Sequence, residues 1–328
     1  MDFYGNKKVL LTKTCSSKVK NKFLDTKQVF IGGCPRSGTT MLGSILGSAD
    51  DCVVTPESQF KHTIQTTLEV DWNCGISKQV FLSALRNNFR FKLWDIPVPE
   101  SDLADILNQH DYRMILLSLV DCYANIQGKQ EWTFWIDHTP ENIKHPLVLL
   151  NIFPEAKFIH IVRDPRAVAA SVLPLDWGPF SARQAAFMWV RQISYGQALE
   201  RMYPDKCIRV YYEDILVEPE KTIQNVCNFC GINFKITMLK GEGYNVPVYS
   251  KKQHALVGSW PEKSRLNAWQ ENLDIWQVAQ IEGIVADLMI LMGYEKYIKG
   301  TLPKRPLKKI ISQRLEPLIS YFKKKKRL

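Results

Sequence analysis

The stretch "VFIGGCPRSGTTMLGSIL", residues 29–46, decides how the chain is read. A short apolar run from Val29 meets a glycine turn and then an apolar-periodic stretch from about Thr40 to Ser48. That pattern predicts a strand, a turn and a helix. Gly33 to Thr40 has the spacing of the phosphate-binding loop G-x-x-x-x-G-K-[ST], with Thr39 where the lysine belongs. Its glycines let backbone N–H groups, Gly38 among them, curl round an anion at a helix N-terminus, where the dipole favours negative charge. The side-chain cation has moved to Arg36, whose planar fork binds two oxygens at once. Ser37, Thr39 and Thr40 add hydroxyl donors. A nucleoside triphosphatase sets its loop lysine on the β- and γ-phosphates beside Mg²⁺, so the missing lysine argues against that chemistry. A plain glycine turn with a helix cap would need neither the arginine nor two threonines.

Strand-like runs recur at "CVVTPES" (52–58), "TFWID" (133–137), "KFIHIV" (157–162) and "CIRVYYEDI" (207–215). The stretch from 60 to 130 is mainly helical in pattern and rich in aromatics, and a long helix is expected from about Leu273 to Met292. Strands alternating with helices predict an α/β fold: a P-loop-type parallel sheet with helices on both faces and a helical insertion on the acceptor side. Ligands of such sheets collect beyond the C-terminal strand ends. Gly33, Glu57 and Arg163 each follow a predicted strand, so they are expected to converge on one crevice. Three segments are expected: a lysine-rich arm over 1–27, one domain over 28–300, and a basic tail over 301–328.

A second anion site is read at "RDPRAVAAS". Arg163 ends a strand, and Ser171 stands eight residues on, about two helical turns away. Two anion clamps suit a ligand with phosphates at both ends of a nucleoside. "PRSGTT" followed by "FPEAKFIHIVRDPRAVAAS" resembles the sulfotransferases that use 3′-phosphoadenosine 5′-phosphosulfate (PAPS), in the branch with tyrosylprotein, glycan and bacterial enzymes. The resemblance spans roughly residues 28 to 295. It implies that Arg36 to Thr40 hold the 5′-phosphosulfate and that Arg163 and Ser171 hold the 3′-phosphate. It further implies that Tyr212, in "VYYEDILVEP", contacts the cofactor while the neighbouring acids are structural. The loop from about Ser250 to Arg265, with Lys251, Lys252 and Arg265, falls where the family closes over the nucleotide. No metal is expected.

Sulfuryl transfer to a hydroxyl needs in-line geometry, charge stabilisation at the leaving oxygen, and a base. Arg36 is the expected stabiliser. The resemblance makes Glu57, in "VVTPESQF", the expected general base. In "WIDHTPEN", His138 stands where many relatives carry a lysine, so it is open as an electrostatic helper, a second base or a structural neighbour. "SVLPLDWGPF" replaces a further basic residue found in relatives and should end the helix near Pro174.

Of the net charge of +10, nine belong to the tail: from Lys304 onward ten basic residues face one acid, Glu316. The main domain therefore carries no signature of nucleic-acid binding. Apolar residues at helical spacing (Leu307, Ile310, Ile311, Leu315, Leu318, Ile319, Phe322) make the tail either an anionic-membrane element or a docked helix with a solvated end. With no signal-peptide pattern at the N-terminus, the expected place is the cytoplasm, peripheral to the membrane if the tail binds lipid. The pair Cys227 and Cys230 lacks the second pair that structural zinc needs and is expected to be core. Small-molecule, lipid and glycan hydroxyls are all open as acceptors, phenols and peptide tyrosine among them. Two other readings compete: a kinase-type phosphoryl transferase, and a protein that binds the nucleotide without catalysis.

Overall fold

The computed structural model describes residues 23–63, 75–96, 112–247 and 257–301, with Ile310, Ile311, Leu315, Leu318, Tyr321 and Phe322 of the tail. Most of the lysine-rich arm, Trp72, Lys251 and Lys252 lie outside the described residues.

Five strands form the sheet: β1 (Lys27–Gly33), β2 (Cys52–Thr55), β3 (Phe134–Asp137), β4 (Lys157–Val162) and β5 (Cys207–Tyr211). Their order is β2-β3-β1-β4-β5, and every neighbouring pair is parallel. Parallel strands must be joined by crossovers, and helices fill them here. Buried side chains alternate along each strand. Phe30, Val53, Trp135 and Phe158 face one apolar layer, which includes the helix Tyr112–Ile126. Val29, Ile31, Val54, Ile136, Ile159 and Val210 face the other, packed on Leu42 and Ile45 of the helix Thr39–Leu46. Both faces are thus covered, which is why the strands read as nearly continuous apolar runs.

Between β2 and β3 the chain inserts helices at Gly75–Asn87, Phe89–Lys92 and Tyr112–Ile126. Phe60, Phe81, Trp94, Tyr112 and Tyr123 from this region are buried and belong to the core, whereas Phe89 is exposed. Cys227 and Cys230 lie buried on the helix Pro219–Cys230, in the apolar layer they were expected to fill. Gly231 ends that helix in the left-handed conformation.

One expected element is corrected. The run 207–215 is not a single strand: β5 stops at Tyr211, and Tyr212–Val217 is a helix. Glu213 and Asp214 sit in its first turn, where acids favour the helix dipole. The Glu213 carboxylate accepts hydrogen bonds from the Asp164 N–H at 3.0 Å and the Tyr294 hydroxyl at 2.9 Å, a structural role. The helix after β4 covers Pro165–Val172 and ends before Pro174.

Candidate active site

β1 is central, with crossovers leaving to either side, so the crevice opens beyond its C-terminal end. A cavity of about 480 Å³ lies there. Arg36, Gly38, Thr39 and Thr40 line it from the loop after β1, and Glu57 and Gln59 from the segment after β2. His138 enters from β3, Arg163 from β4 and Tyr212 from β5. Four crossovers deliver these residues to one place.

The loop backbone is shaped for an anion. Arg36 has φ +73° and Gly38 φ +100°, both left-handed, with Ser37 between them. Left-handed residues in such a turn bring successive N–H groups to a concave face. Gly38 has a second constraint: a Cβ there would lie 2.6 Å from the Tyr212 ring. The Ser37 hydroxyl is buried and has no partner among the described residues.

The two expected anion clamps meet. Arg163 Nη1 donates to the Arg36 carbonyl at 2.8 Å, and Arg36 Nε donates to Ser171 Oγ at 3.1 Å. The Arg163 guanidinium also lies 4.1 Å above the centre of the Tyr212 ring, a cation–π arrangement. Arg163 Nε is buried without a partner among the described residues. Burial, and then the charge of Arg163, lowers the pKa of Arg36. Two guanidiniums held together in a half-dry cleft favour a polyanion between them. Arg166, the other arginine of the motif, is committed to Asp164 (2.6 Å) and Glu282 (2.7 Å) and belongs to the scaffold.

Glu57 stands on the cavity wall with its carboxylate braced. Gln59 Nε2 donates to it at 2.9 Å, and Arg90 Nη1 pairs with it at 3.1 Å. His138 is 2% exposed, packed edge-on to Tyr244 at 5.0 Å between ring centroids. Neither of its ring nitrogens has a partner among the described residues. Burial depresses its pKa, opposed by the charge of Glu57. A Cβ on Gly43 would come within 3.1 Å of His138, so the small residue on the loop helix makes room for the imidazole.

Arg265 is exposed in the short 3₁₀ helix Lys263–Arg265 and is not among the cavity walls. The structure adds Arg90, Phe89, Trp177 and Tyr244 to the site. Arg90 and Phe89 come from the insertion, far in sequence from any motif, and Trp177 from the turn after Ser171. Phe89 and Trp177 are 67% and 56% exposed, two apolar faces at the mouth. A cavity of about 510 Å³ near Gly47 and Lys129 shares just Tyr244 with the site and holds none of the motif residues.

Known proteins are similar to this chain in sequence and in fold. The chain is 28% identical over 296 residues to protein-tyrosine sulfotransferase 1 of Danio rerio, covering 86% of this chain and 76% of that protein. It is 24% identical over 297 residues to the protein-tyrosine sulfotransferase of Drosophila melanogaster, of which it spans 52%. In fold it is similar to the sulfotransferase domain from the curacin biosynthetic pathway, at 16% identity and a TM-score of 0.52 over 83% of this chain and 99% of that one. A sequence model described as the sulfotransferase family matches residues 28–235, the span holding both anion clamps, Glu57 and His138. The chain belongs to the sulfotransferase family.

Proposed function

We propose that this protein transfers a sulfuryl group from PAPS to a hydroxyl acceptor by in-line displacement, with Glu57 as general base. The observation that carries the reading is the junction of the two clamps, Arg163 to Arg36 and Arg36 to Ser171, whose two arginines lie on the wall of the cavity that Glu57 also lines, with Ser171 behind them. The site fits such a donor. The N–H groups of the left-handed loop and the unpartnered Nε of Arg163 are donors that an anion would satisfy, whereas Ser37 is fully buried and off the cavity wall. When bound, PAPS supplies the sulfuryl group and a phosphate leaving group.

The residues then divide the work. The N–H groups and hydroxyls of residues 36–40 orient the phosphosulfate end, and the Arg36 guanidinium stabilises charge at the leaving oxygen. Arg163 and Ser171 hold the distal phosphate, and Tyr212 supports Arg163 from below. Glu57 takes the acceptor's proton, a contribution of typically ~10² to 10⁴-fold. His138, kept neutral by burial, donates one N–H to the transferring group without adding charge. No step calls on a metal ion, which separates this reading from a kinase. A purely nucleotide-binding role would leave the braced carboxylate of Glu57 without a task.

For the acceptor, a phenolic hydroxyl is favoured. Phe89 and Trp177 offer flat apolar surfaces at the mouth, and the relatives are named for protein tyrosine. A second reading, a membrane-borne lipid or glycan acceptor, has its own support. Tyr321 of the tail contacts Phe180 at 6.1 Å between centroids, three residues from Trp177. Ile311, Leu315, Leu318 and Phe322 are exposed, and ten basic residues flank them. That composition suits an anionic bilayer, at about 1 kcal/mol per basic residue. The protein would then act in the cytoplasm at a membrane surface.

The deciding experiment is calorimetry with 3′,5′-adenosine bisphosphate, on wild type and Arg163→Ala, with ADP plus Mg²⁺ as competitor. Binding that needs no Mg²⁺ and is lost in the variant supports the reading. Preference for ADP with Mg²⁺ would sink it. Transfer of labelled sulfate from PAPS to a tyrosyl peptide, 4-nitrophenol and a glycolipid, with and without anionic vesicles, then ranks the acceptors.

A further inference from the structure

Residues 57–61 and 137–142 share a pattern that the proposed chemistry does not use. Glu57, Gln59, His138 and Glu141 line the cavity. Alternating with them, Ser58, Lys61, Asp137, Thr139 and Asn142 are each 0% exposed. One set of side chains serves the cavity. The other forms a closed polar network behind it.

Lys61 is the hub. Its Nζ donates to Asn142 Oδ1 at 2.6 Å, Asp137 Oδ1 at 3.2 Å and Ser58 Oγ at 3.2 Å, which uses all three of its hydrogens. Asp137 also accepts from the Ser58 hydroxyl, the Thr139 N–H at 2.9 Å and Asn142 Nδ2 at 2.9 Å. Ser58 N–H donates to Thr139 Oγ1 at 2.8 Å. Asn142 Nδ2 reaches the carbonyl of Ile31 at 3.0 Å, two residues before Gly33 opens the phosphate loop. The segment is pinned from outside as well, by the Tyr112 hydroxyl on the Lys61 carbonyl at 2.8 Å. A continuous path of hydrogen bonds therefore joins the residue next to Glu57 to the strand that carries the anion cradle.

A fully buried ion pair is a poor way to gain stability. Its desolvation roughly cancels its attraction, and apolar residues of equal volume often serve as well. What such a pair supplies is a fixed geometry, since each partner has one place in which it is satisfied. Burial lowers the Lys61 pKa, opposed by Asp137. Burial would raise that of Asp137, but Lys61 and the hydrogen bonds from Ser58, Asn142 and Thr139 hold it well below the usual carboxylate range.

We infer that Lys61 and Asp137, acting through Ser58 and Asn142, are the positioning residues of the Glu57 carboxylate, holding it in register with the phosphate loop. The inference rests on Glu57 being the base. Misplacing a reacting group by about an ångström costs on the order of 10²-fold, so the pair acts on rate while never touching a ligand.

The test compares Glu57→Gln, Lys61→Met and Lys61→Met/Glu57→Gln, with Lys61→Arg as the conservative variant. It reads kcat and KM with PAPS and the tyrosyl peptide, calorimetric affinity for 3′,5′-adenosine bisphosphate, and thermal melting. Lys61→Met should lower kcat by roughly 10- to 100-fold while nucleotide affinity is kept and, in the Glu57→Gln background, should cost nothing further. Lys61→Arg should recover part of kcat. Costs that multiply in the double variant, or a loss of nucleotide affinity matching the loss of kcat, overturn the inference and leave the base reading intact. Wild-type kcat in Glu57→Gln sinks the base reading and the inference with it. Should Lys61→Met fail to fold, Ser58→Ala, which removes one bond to Asp137, decides by the same non-additivity.

Discussion

Arg36 and Ser171, 135 positions apart, are joined by a hydrogen bond from Nε to Oγ at 3.1 Å. Three crossovers of the sheet separate the two residues along the chain, and the contact links the proposed phosphosulfate cradle to the proposed distal phosphate clamp. In the proposed reaction Ser171 would have two tasks, to meet an anion and to aim the guanidinium proposed to stabilise the leaving oxygen. A hydrogen bond to a charged group contributes about 1.5–3 kcal/mol. Ser171→Ala is expected to weaken 3′,5′-adenosine bisphosphate by roughly tenfold or more and to lower kcat as well. Calorimetry paired with steady-state kinetics checks both. A loss confined to affinity would mean that Arg36 keeps its aim without Ser171.

Arg163 and Tyr212 should separate in the same assay. Arg163 contributes charge and the bond to the Arg36 carbonyl, whereas the Tyr212 ring contributes its face, at 4.1 Å. Arg163→Ala should cost about 10- to 100-fold in nucleotide affinity. Tyr212→Leu should cost less, because it removes only the cation–π contact of a buried ring on a half-buried guanidinium, ~1–2 kcal/mol. Salt should also narrow the gap between wild type and Arg163→Ala, because the missing term is ionic. Equal losses in the two variants would place the ring, and not the charge, at the centre of the clamp.

Gly38 is expected to reject any side chain. Its φ of +100° costs an L-residue about 1–2 kcal/mol, and the new Cβ would displace the Tyr212 ring. Gly38→Ala should lower urea stability by at least that amount and abolish nucleotide binding. In Gly38→Ala/Tyr212→Leu the steric part is relieved and the backbone part stays, so recovery should be partial. Full recovery would mean that the left-handed turn is not needed for the cradle.

Much of this site is legible in the residues themselves, because its parts are local. The loop of residues 33–40, Arg163 with Ser171, and Glu57 each follow a strand, and parallel α/β topology brings strand ends together. What could not be read is pairing over distance. Arg90 on Glu57 and Lys61 on Asp137 join segments that share no motif. Lys61, beside Phe60 and His62, looks like an ordinary surface lysine until the fold buries it. The strand expected over 207–215 failed for a local reason: β-favouring tyrosines run directly into Glu213 and Asp214, and the acids win the helix start. Arg265 was placed by analogy with a closing loop, and its exposed position off the cavity wall follows no spacing rule.

The protonation state of His138 yields the last prediction. Burial depresses its pKa, so the folded protein resists a proton that the unfolded chain accepts near pH ~6.5. The unfolded state then binds more protons as pH falls, and stability drops with pH by up to ~1.4 kcal/mol per unit per proton. The contribution is fully present above pH ~6.5 and is lost on acidification toward the folded value. His62 and His145 are depressed by burial too and act with the same sign, so the wild-type slope is a sum. His138→Gln should remove one proton's share of that slope while the other two remain, measured by urea unfolding between pH 7.5 and 5 (about 1.5 units below ~6.5). The same variant should keep nucleotide affinity and lose kcat, since in the proposed reaction the imidazole serves the transferring group and not the distal phosphate clamp. A steeper slope in His138→Gln would mean that His138 is protonated in the folded enzyme, and its role would then be that of a charged helper; an unchanged slope would mean that it titrates alike in the folded and unfolded chains.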